Sequence, residues 1–493
     1  MSPQIQAGRL RTICGKAGNR VSIASGNIWQ FPQATRDVSR MAMAAARFPS
    51  GAVFRQNKRR HSAVPGGSNR PVTLNHTKDV FPMKLLYVTP MWTALAEVLL
   101  EGSKTCKGMP AFFRPLRKLI ENGHDITMLI LETDPEQHRQ PLCPEIDWLK
   151  KLQYRRYLNR WHYTGIRKPL SEAAAVWTSY RAAQDILKEG RYDFVYGHST
   201  VSEGAGLAAS RHGIPFGLRR YGDVYYYYTE RFSMFRAICS MPTNYWSYRR
   251  RKAFVVATND GSKIDEFYRR INKTRDPYPL YFWRNGYEPL DPALLQDIKT
   301  PDGFYLFYAA RLVDLKRQDR AIQLLHEAKK LGIEIPLYLA GQKSDAVYFQ
   351  GLLDLAEKLG VSDQIHYLGA ISLAEIAAYS ANALACLSFS DSYNFGNVFI
   401  EYTTNGGIVL SLDDGSLDEV IRSGENGFLV HDMAEGAQVV QQLFQSPEMC
   451  AQVRAKAQEV AHNYFLTWDD RVLKEIRLIE DAVVQAAEKR KRT

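Results

Sequence analysis

ALACLSFSDSYNFGNVFIEYTTNGG (residues 383–407) divides into an apolar run, a short polar turn and a segment of helical character. ALACLSFS (383–390) has the near-continuous apolar composition of a strand covered on both faces of a parallel sheet. Asn405-Gly406-Gly407 supplies a helix stop. Between them lies DSYNFGNVFIE (391–401), with Gly396 at the expected helix start. Free backbone N–H groups there can face an anion or sugar hydroxyls with no side chain in the way. Glu401 follows five residues later, within the first turns of the same helix, where a carboxylate can accept both hydrogens of a ribose diol. A strand leading into such a turn is the ligand-binding corner of an open α/β sheet.

The same rhythm runs outward in both directions. KLLYVTP (84–90), DITMLILET (125–133), DFVYGHS (193–199), IPFGLRRY (214–221) and FVVATND (254–260) read as strands, with helical spacing between them. In FFRPLRKLIENGHD, Phe112, Leu116, Leu119 and Ile120 share one face and Gly123 ends the helix. The rhythm breaks at the proline-rich 272–303, then restarts with FYLFYAA (304–310), IPLYLAG (335–341), IHYLG (365–369), ALACLSFS and IVLSLD (408–413). The pattern predicts two doubly wound, Rossmann-like α/β domains joined by a linker, with their strand ends facing across one cleft. The expected boundaries are a basic segment at 1–82, a first α/β domain at 83–290, a second at 291–465, and a final helix at 466–493 that packs back towards the first domain.

Composition bounds the partners. The net charge is +12, but residues 1–82 hold 13 Lys and Arg against two Asp and Glu, so the body is nearly neutral and a nucleic-acid reading has no support. That segment is Arg-rich and lacks a sustained period, so it reads as an extension outside the fold, an organellar transit peptide, or sequence upstream of a true start at Met83. The six cysteines (14, 106, 143, 239, 386 and 450) have no C-x-x-C spacing, which fits a reducing, cytoplasmic setting. No apolar run reaches spanning length. Two stretches interleave bases with aromatics, 151–171 and 245–254. They read either as solvated helix faces with core aromatics or as contacts for an anionic membrane surface. The tyrosines at 225–228 either line an acceptor pocket or pack.

The chain has no P-loop motif, no G-x-G-x-x-G after its first strand, no H-E-x-x-H and no D-x-D, so no metal or cofactor is expected. What remains is ARLVDLKRQDRAI (310–322), where Arg311 closes a strand and Lys316 precedes a helix. Two such cations either hold a diphosphate without metal or are surface bases near a loop.

From Met83 to about Trp468 the chain resembles the retaining, family-4 glycosyltransferases of the GT-B fold (glycosyl transferases group 1). ARLVDLK is similar to their G-R-L-x-x-x-K motif, and YLAGQ (338–342) and YLGAIS (367–372) to the next two strand ends. SFSDSYNFGNVFIE is similar to the stretch containing E-x-F-G-x-x-x-x-E, and SLDEVIRSGENGFLV (416–430) to its sequel. GMPAFFRPLRKLIENGHDITML (108–129), FVYGHS and WRNG (283–286) resemble the first domain's opening helix, its acceptor-side histidine and the linker. The resemblance implies that Arg311 and Lys316 bind the donor diphosphate, that Glu401 binds its ribose, and that Phe395, Gly396, Asn397 and Gly341 line the donor sugar. It sets His198 at the acceptor hydroxyl, with Gly108 and Tyr221 on the acceptor side. The implied reaction moves a sugar from a nucleotide diphosphate sugar to an acceptor hydroxyl with retention, in glycan, polysaccharide or glycolipid synthesis. One position departs from the pattern: the first glutamate of the family pair is Tyr393 here, and Asp391 is the nearest substitute. The departure keeps two alternatives open, a non-catalytic scaffold, and a sugar-nucleotide epimerase or phosphorylase on the same plan.

Overall fold

The computed structural model describes residues 82–492 apart from 107, 161–167, 223–232, 274–277 and 392–393. Tyr393 and the tyrosines at 225–228 therefore lie outside the described residues.

Seven parallel strands form the first sheet: β1 (Lys84–Pro90), β2 (Asp125–Glu132), β3 (Gln153–Leu158), β4 (Phe194–His198), β5 (Phe216–Arg220), β6 (Phe254–Thr258) and β7 (Leu280–Trp283). Their order is β3-β2-β1-β4-β5-β6-β7. Six parallel strands form the second: β8 (Leu306–Ala309), β9 (Leu337–Ala340), β10 (Ile365–Gly369), β11 (Ala385–Ser388), β12 (Val409–Leu412) and β13 (Phe428–Val430), in the order β10-β9-β8-β11-β12-β13. The fold class is the one expected, two Rossmann-like α/β units.

Each sheet reverses its winding once. Leu86 of β1 lies opposite Thr127 on one side and Val195 of β4 on the other. In the second sheet β8 takes β9 on one side and β11 on the other. The switch points are thus β1/β4 and β8/β11, and a doubly wound sheet opens a crevice beyond the carboxyl ends at such a point. His198 ends β4, Arg311 follows β8, and the 391–401 segment follows β11.

The helices that matter to the site are α1 (Pro110–Glu121), α2 (Lys168–Glu189), α3 (Glu203–Arg211), α4 (Pro242–Arg249), α5 (Gln318–Lys330), α6 (Asn397–Thr404), α7 (Pro447–Tyr464) and α8 (Trp468–Arg492). In α1, Phe112, Leu116 and Leu119 are fully buried, and the chain leaves through Gly123 at φ +83°. Helix α8 buries Trp468, Val472, Ile476 and Ile479 in one core with Phe112, Leu116, Tyr196 and Phe254 of the first domain. The chain therefore crosses between the domains twice, and the two crossings touch. Tyr287 N–H donates to Leu466 O at 3.0 Å and Trp468 N–H to Tyr287 O at 2.9 Å. A Cβ on Gly286 would lie 2.7 Å from the Trp468 backbone, so this residue of WRNG must be glycine for the crossings to meet.

Three strands escaped the sequence reading. β3 lies in the basic–aromatic stretch at 151–171, read above as a helix face. Instead, Gln153, Tyr154, Arg155 and Arg156 alternate between exposed and half-buried along an edge strand. β7 sits inside the proline-rich linker and closes the other edge. β13 is only three residues long.

Candidate functional site

On the second domain, β8 runs into a loop held close to β9. Gly341, at φ +139°, passes so near that a Cβ would lie 2.0 Å from the carbonyl oxygen of Ala310. Glycine is required there, and the contact fixes where Arg311 leaves the sheet. The Gln318 side chain donates to Arg311 O at 3.0 Å. Lys316 ends a single tight turn, Asp314–Lys316, whose last carbonyl accepts from the Tyr308 hydroxyl. Arg317 then takes a left-handed conformation at φ +53°, unusual for a side-chain-bearing residue, and begins α5. Its guanidinium is anchored by Asp319 at 2.9 Å and Asp391 at 2.8 Å.

Arg311 and Lys316 form no ion pair with any described residue. Burial pushes the Lys316 amine below its usual range, and the Arg311 charge pushes it further. The one opposing influence is Asp260, which follows β6 of the first domain. A buried amine beside a guanidinium, neither of them in an ion pair with a described residue, suits a ligand carrying two negative charges.

The loop after β11 is over-determined. Asp391 pairs with Arg317 and also with Arg320 at 2.5 Å. It is therefore spent on positioning the loop, which removes it as the substitute for the missing glutamate. Asn394 accepts from Ser388 Oγ at 2.9 Å and Ser390 N–H at 3.0 Å, and donates back to Ser390 O at 3.0 Å. Phe395 packs inward on Phe399 and Phe465, with the Arg284 guanidinium 4.3 Å above its ring. Gly396 caps α6 in extended backbone, and open space lies where its Cβ would be. Asn397 opens the helix and accepts from the Asn285 side chain at 2.6 Å. The hydroxyl of Tyr402, one residue beyond Glu401, accepts from Ala309 N–H at 2.6 Å, tying α6 to the end of β8. Burial alone pushes the Glu401 carboxyl up to about 7, and no described residue donates to it. A desolvated carboxylate without a donor is costly unless a ligand supplies one.

On the first domain, His198 is fully enclosed. Tyr87, Tyr196 and Phe112 crowd its ring at 4.2, 4.8 and 5.0 Å. Its backbone N–H donates to Ser202 Oγ, and Nδ1 lies 2.6 Å from the Tyr221 hydroxyl. Burial, then the Arg219 charge, holds the imidazole well below the usual histidine range, so it is neutral. Burial also keeps Tyr221 protonated. The phenol is the stronger acid, so it donates to Nδ1 and leaves the ring hydrogen on Nε2, a buried atom with no partner among the described residues. Gly108 (φ +72°) precedes α1 with open space at its Cβ position.

Sequence reasoning missed what supports His198. Arg219 is fully buried, with Glu475 of α8 at 3.8 Å. Glu475 also pairs with Arg471 at 3.1 Å and accepts from the Tyr196 hydroxyl at 2.5 Å. The signal was present: GLRRY sets two arginines inside a central parallel strand, where a charge needs a buried partner. Sequence reading also missed the contacts between the domains. Gly261, at φ +88°, approaches Ser416 so closely that a Cβ would lie 2.7 Å from the serine's, and Arg284 pairs with Glu419 at 2.7 Å. The two sheets therefore present their carboxyl ends to each other. His198, Tyr221 and Asp260 stand on one side, and Arg311, Lys316 and Glu401 on the other.

Among the described residues, several bases of the two aromatic-rich stretches are engaged internally. Arg155 pairs with Glu189 and Arg156 with Glu132, each at 2.6 Å. Arg250 and Lys252 share the buried Glu203 of α3, and Arg249 of α4 donates to Ile271 O.

Residues 296–460 match the family model of glycosyl transferases group 1. Among curated proteins, the chain is 28% identical over 219 residues to a D-inositol 3-phosphate glycosyltransferase of Streptomyces scabiei, covering 44% of this chain and 46% of that protein. It is 24% identical over 294 residues to the putative glycosyltransferase EpsD of Bacillus subtilis, covering 57% of this chain and 75% of that protein. The chain thus spans about half the length of the first of these relatives. The structure is similar to sucrose-phosphate synthase of Thermosynechococcus elongatus, with a TM-score of 0.60, 17% identity, and coverage of 82% of this chain and 100% of the other. It is also similar to Anabaena HepE in complex with UDP-glucose, with a TM-score of 0.52, 17% identity, and coverage of 83% and 100%. These likenesses bear out the resemblance to the group 1 glycosyltransferases and the GT-B arrangement of two Rossmann-like units.

Proposed function

We propose that the protein is a glycosyltransferase that moves a sugar from a nucleotide diphosphate sugar to an acceptor hydroxyl with retention of the anomeric configuration. The observation that carries the reading is the pairing of unneutralised Arg311 and Lys316 with the donorless carboxylate of Glu401, at the β8/β11 switch point within the stretch matching the group 1 model. A nucleoside diphosphate has complementary parts. Its phosphates match the two cations, and its ribose diol offers two O–H donors to a carboxylate.

In this reading Arg311 and Lys316 stabilise charge as it develops on the departing diphosphate, a preorganised electrostatic role. The backbone around Phe395, Gly396 and Asn397, with Gly341, shapes the sugar subsite. The acceptor hydroxyl attacks from the leaving-group face, and a phosphate oxygen of the donor takes its proton. The neutral His198 is unsuited to be a strong base here. Its Nε2–H is a donor that orients the acceptor oxygen once the surrounding aromatic side chains admit it. No metal is assigned a role.

Glycan, polysaccharide or glycolipid synthesis is the proposed setting, since the Streptomyces and Bacillus relatives are named as glycosyltransferases. Contact with an anionic membrane has less support, because Arg155, Arg156, Arg250 and Lys252 of the aromatic-rich stretches are paired internally. Among the described residues no helix is long and apolar enough to cross a membrane. The test is incubation with UDP-, GDP- and ADP-sugars and a panel of hydroxyl acceptors, with the product's anomeric coupling read by NMR. A product of inverted configuration would overturn retention. Donor isomerisation without an acceptor would point to an epimerase.

A further inference from the structure

Between the edge strand β3 and α2 runs an open groove of about 690 Å³, lined by Tyr157, Trp177, Thr178, Arg181 and Asp185. The fold does not require its contents. Trp177 is 60% exposed and stacked on Tyr180 at 5.3 Å and 26°, with the Arg211 guanidinium 4.9 Å from the Tyr180 ring. Arg181 and Asp185 stand one helical turn apart with no ion pair or hydrogen bond to any described residue. Tyr157 lines the same groove as Asp185, and burial, then the Asp185 and Glu189 charges, raises its phenol. An exposed indole platform flanked by an unused guanidinium, an unused carboxylate and a phenol is the donor and acceptor set that a sugar ring needs. The apolar C–H face lies on the indole, and adjacent hydroxyls bond to the charged forks.

The charge pattern selects among occupants. Among the described residues the lining holds one cation and one anion, and the neighbouring bases Arg155 and Arg156 are already paired. That suits a neutral polyol better than an anionic headgroup or a nucleic acid, either of which needs unpaired cations. Position adds the rest. Tyr157 lies near the carboxyl end of β3, on the cleft side of the sheet, three strands from His198 on β4. At the usual strand spacing this is roughly 14 Å, a few sugar units away.

We propose that this groove binds a neutral oligosaccharide, the remote part of a glycan acceptor whose reacting hydroxyl lies in the cleft. The inference rests on the glycosyltransferase reading. It implies that the acceptor is a chain several sugars long, with remote binding energy used to place its end.

The test is saturation-transfer NMR on the full chain with maltohexaose, cellohexaose, mannohexaose and chitohexaose, comparing wild type with Trp177→Ala and the near-isosteric Asp185→Asn. At least one hexasaccharide is expected to give ring-proton signals that fall more than fivefold in both variants, with melting temperatures unchanged. Absence of variant-sensitive signal with all four would overturn the proposal. So would Trp177-dependent flotation with phosphatidylglycerol vesicles in place of sugar binding. UDP-induced thermal shifts, measured on the same three proteins, keep the outcomes separate. A preserved shift with no glycan signal sinks the groove and leaves the donor site standing, whereas loss of the shift in wild type sinks the underlying reading.

Discussion

Asn285, in the linker between the two sheets, donates its side-chain N–H to the side-chain oxygen of Asn397, the first residue of the helix that carries Glu401, at 2.6 Å. The linker is thus bonded directly to the start of the donor-side helix. Arg284 beside it is held between the rings of Phe395 and Tyr464 at 4.3 Å each, and its carbonyl accepts from Arg471 of α8. Domain position and the shape of the proposed donor site are therefore mechanically joined. Asn285→Ala removes one hydrogen bond, typically worth about 1 kcal/mol. Turnover is expected to fall about fivefold with a smaller change in donor KM, and steady-state kinetics with varied donor checks this.

Lys316→Ala removes a desolvated cation that has no ion pair among the described residues. Loss of one preorganised contact to developing charge costs on the order of 3–4 kcal/mol, or about 10²–10³ in rate. The melting temperature should not fall, because the amine is already disfavoured by burial and by Arg311. A variant that keeps near-normal transfer would remove Lys316 from the mechanism.

Glu401 gives the pH dependence. Its folded value of about 7 lies above the ordinary carboxylate value of 4.5, so between those two pH values the folded chain holds a proton that the unfolded chain has released. Stability therefore falls as pH rises through this window, by up to roughly 2–3 kcal/mol from this group. Glu401→Gln is expected to raise the melting temperature at pH 8 relative to wild type and to leave it unchanged at pH 4. A diol bound to the ionised carboxylate reverses the balance, so nucleotide affinity should increase from pH 6 to pH 8 with release of a proton. Calorimetry in buffers of different ionisation enthalpy measures that proton directly.

Glu475 is the sole carboxylate paired with both Arg219 and Arg471, and all three are buried. Removing the anion leaves two buried guanidinium groups facing each other. Glu475→Ala should cost about 3–5 kcal/mol of stability by urea unfolding. Arg471→Met with Glu475→Leu, which removes one cation together with the anion, should recover part of it.

Ten of the thirteen strands were legible as apolar runs, because buried parallel strands need little beyond length and β-branched or aromatic content. β3 was not, since an edge strand is half-solvated and its arginines mimic a polar helix face. β7 was hidden by the prolines around it. At the site, spacing alone could place Arg311 at a strand end, Lys316 before a helix, and Gly396 and Glu401 at the start of another helix. The pinning of Asp391 by Arg317 and Arg320, the Asn285–Asn397 bond and the Tyr196–Glu475 bond could not. They join residues 71 to 279 positions apart, and only the three-dimensional fold sets such distances.

The central claim is that Arg311, Lys316 and Glu401 bind a nucleoside diphosphate. The direct measurement is the thermal stability of the full chain with UDP, GDP and ADP, repeated on Lys316→Ala and Glu401→Gln. The account expects one nucleotide to stabilise the wild type by about 2.7 kcal/mol at a hundredfold excess over Kd, and both variants to lose most of that gain. No stabilisation by any of the three, or an undiminished shift in both variants, would contradict it.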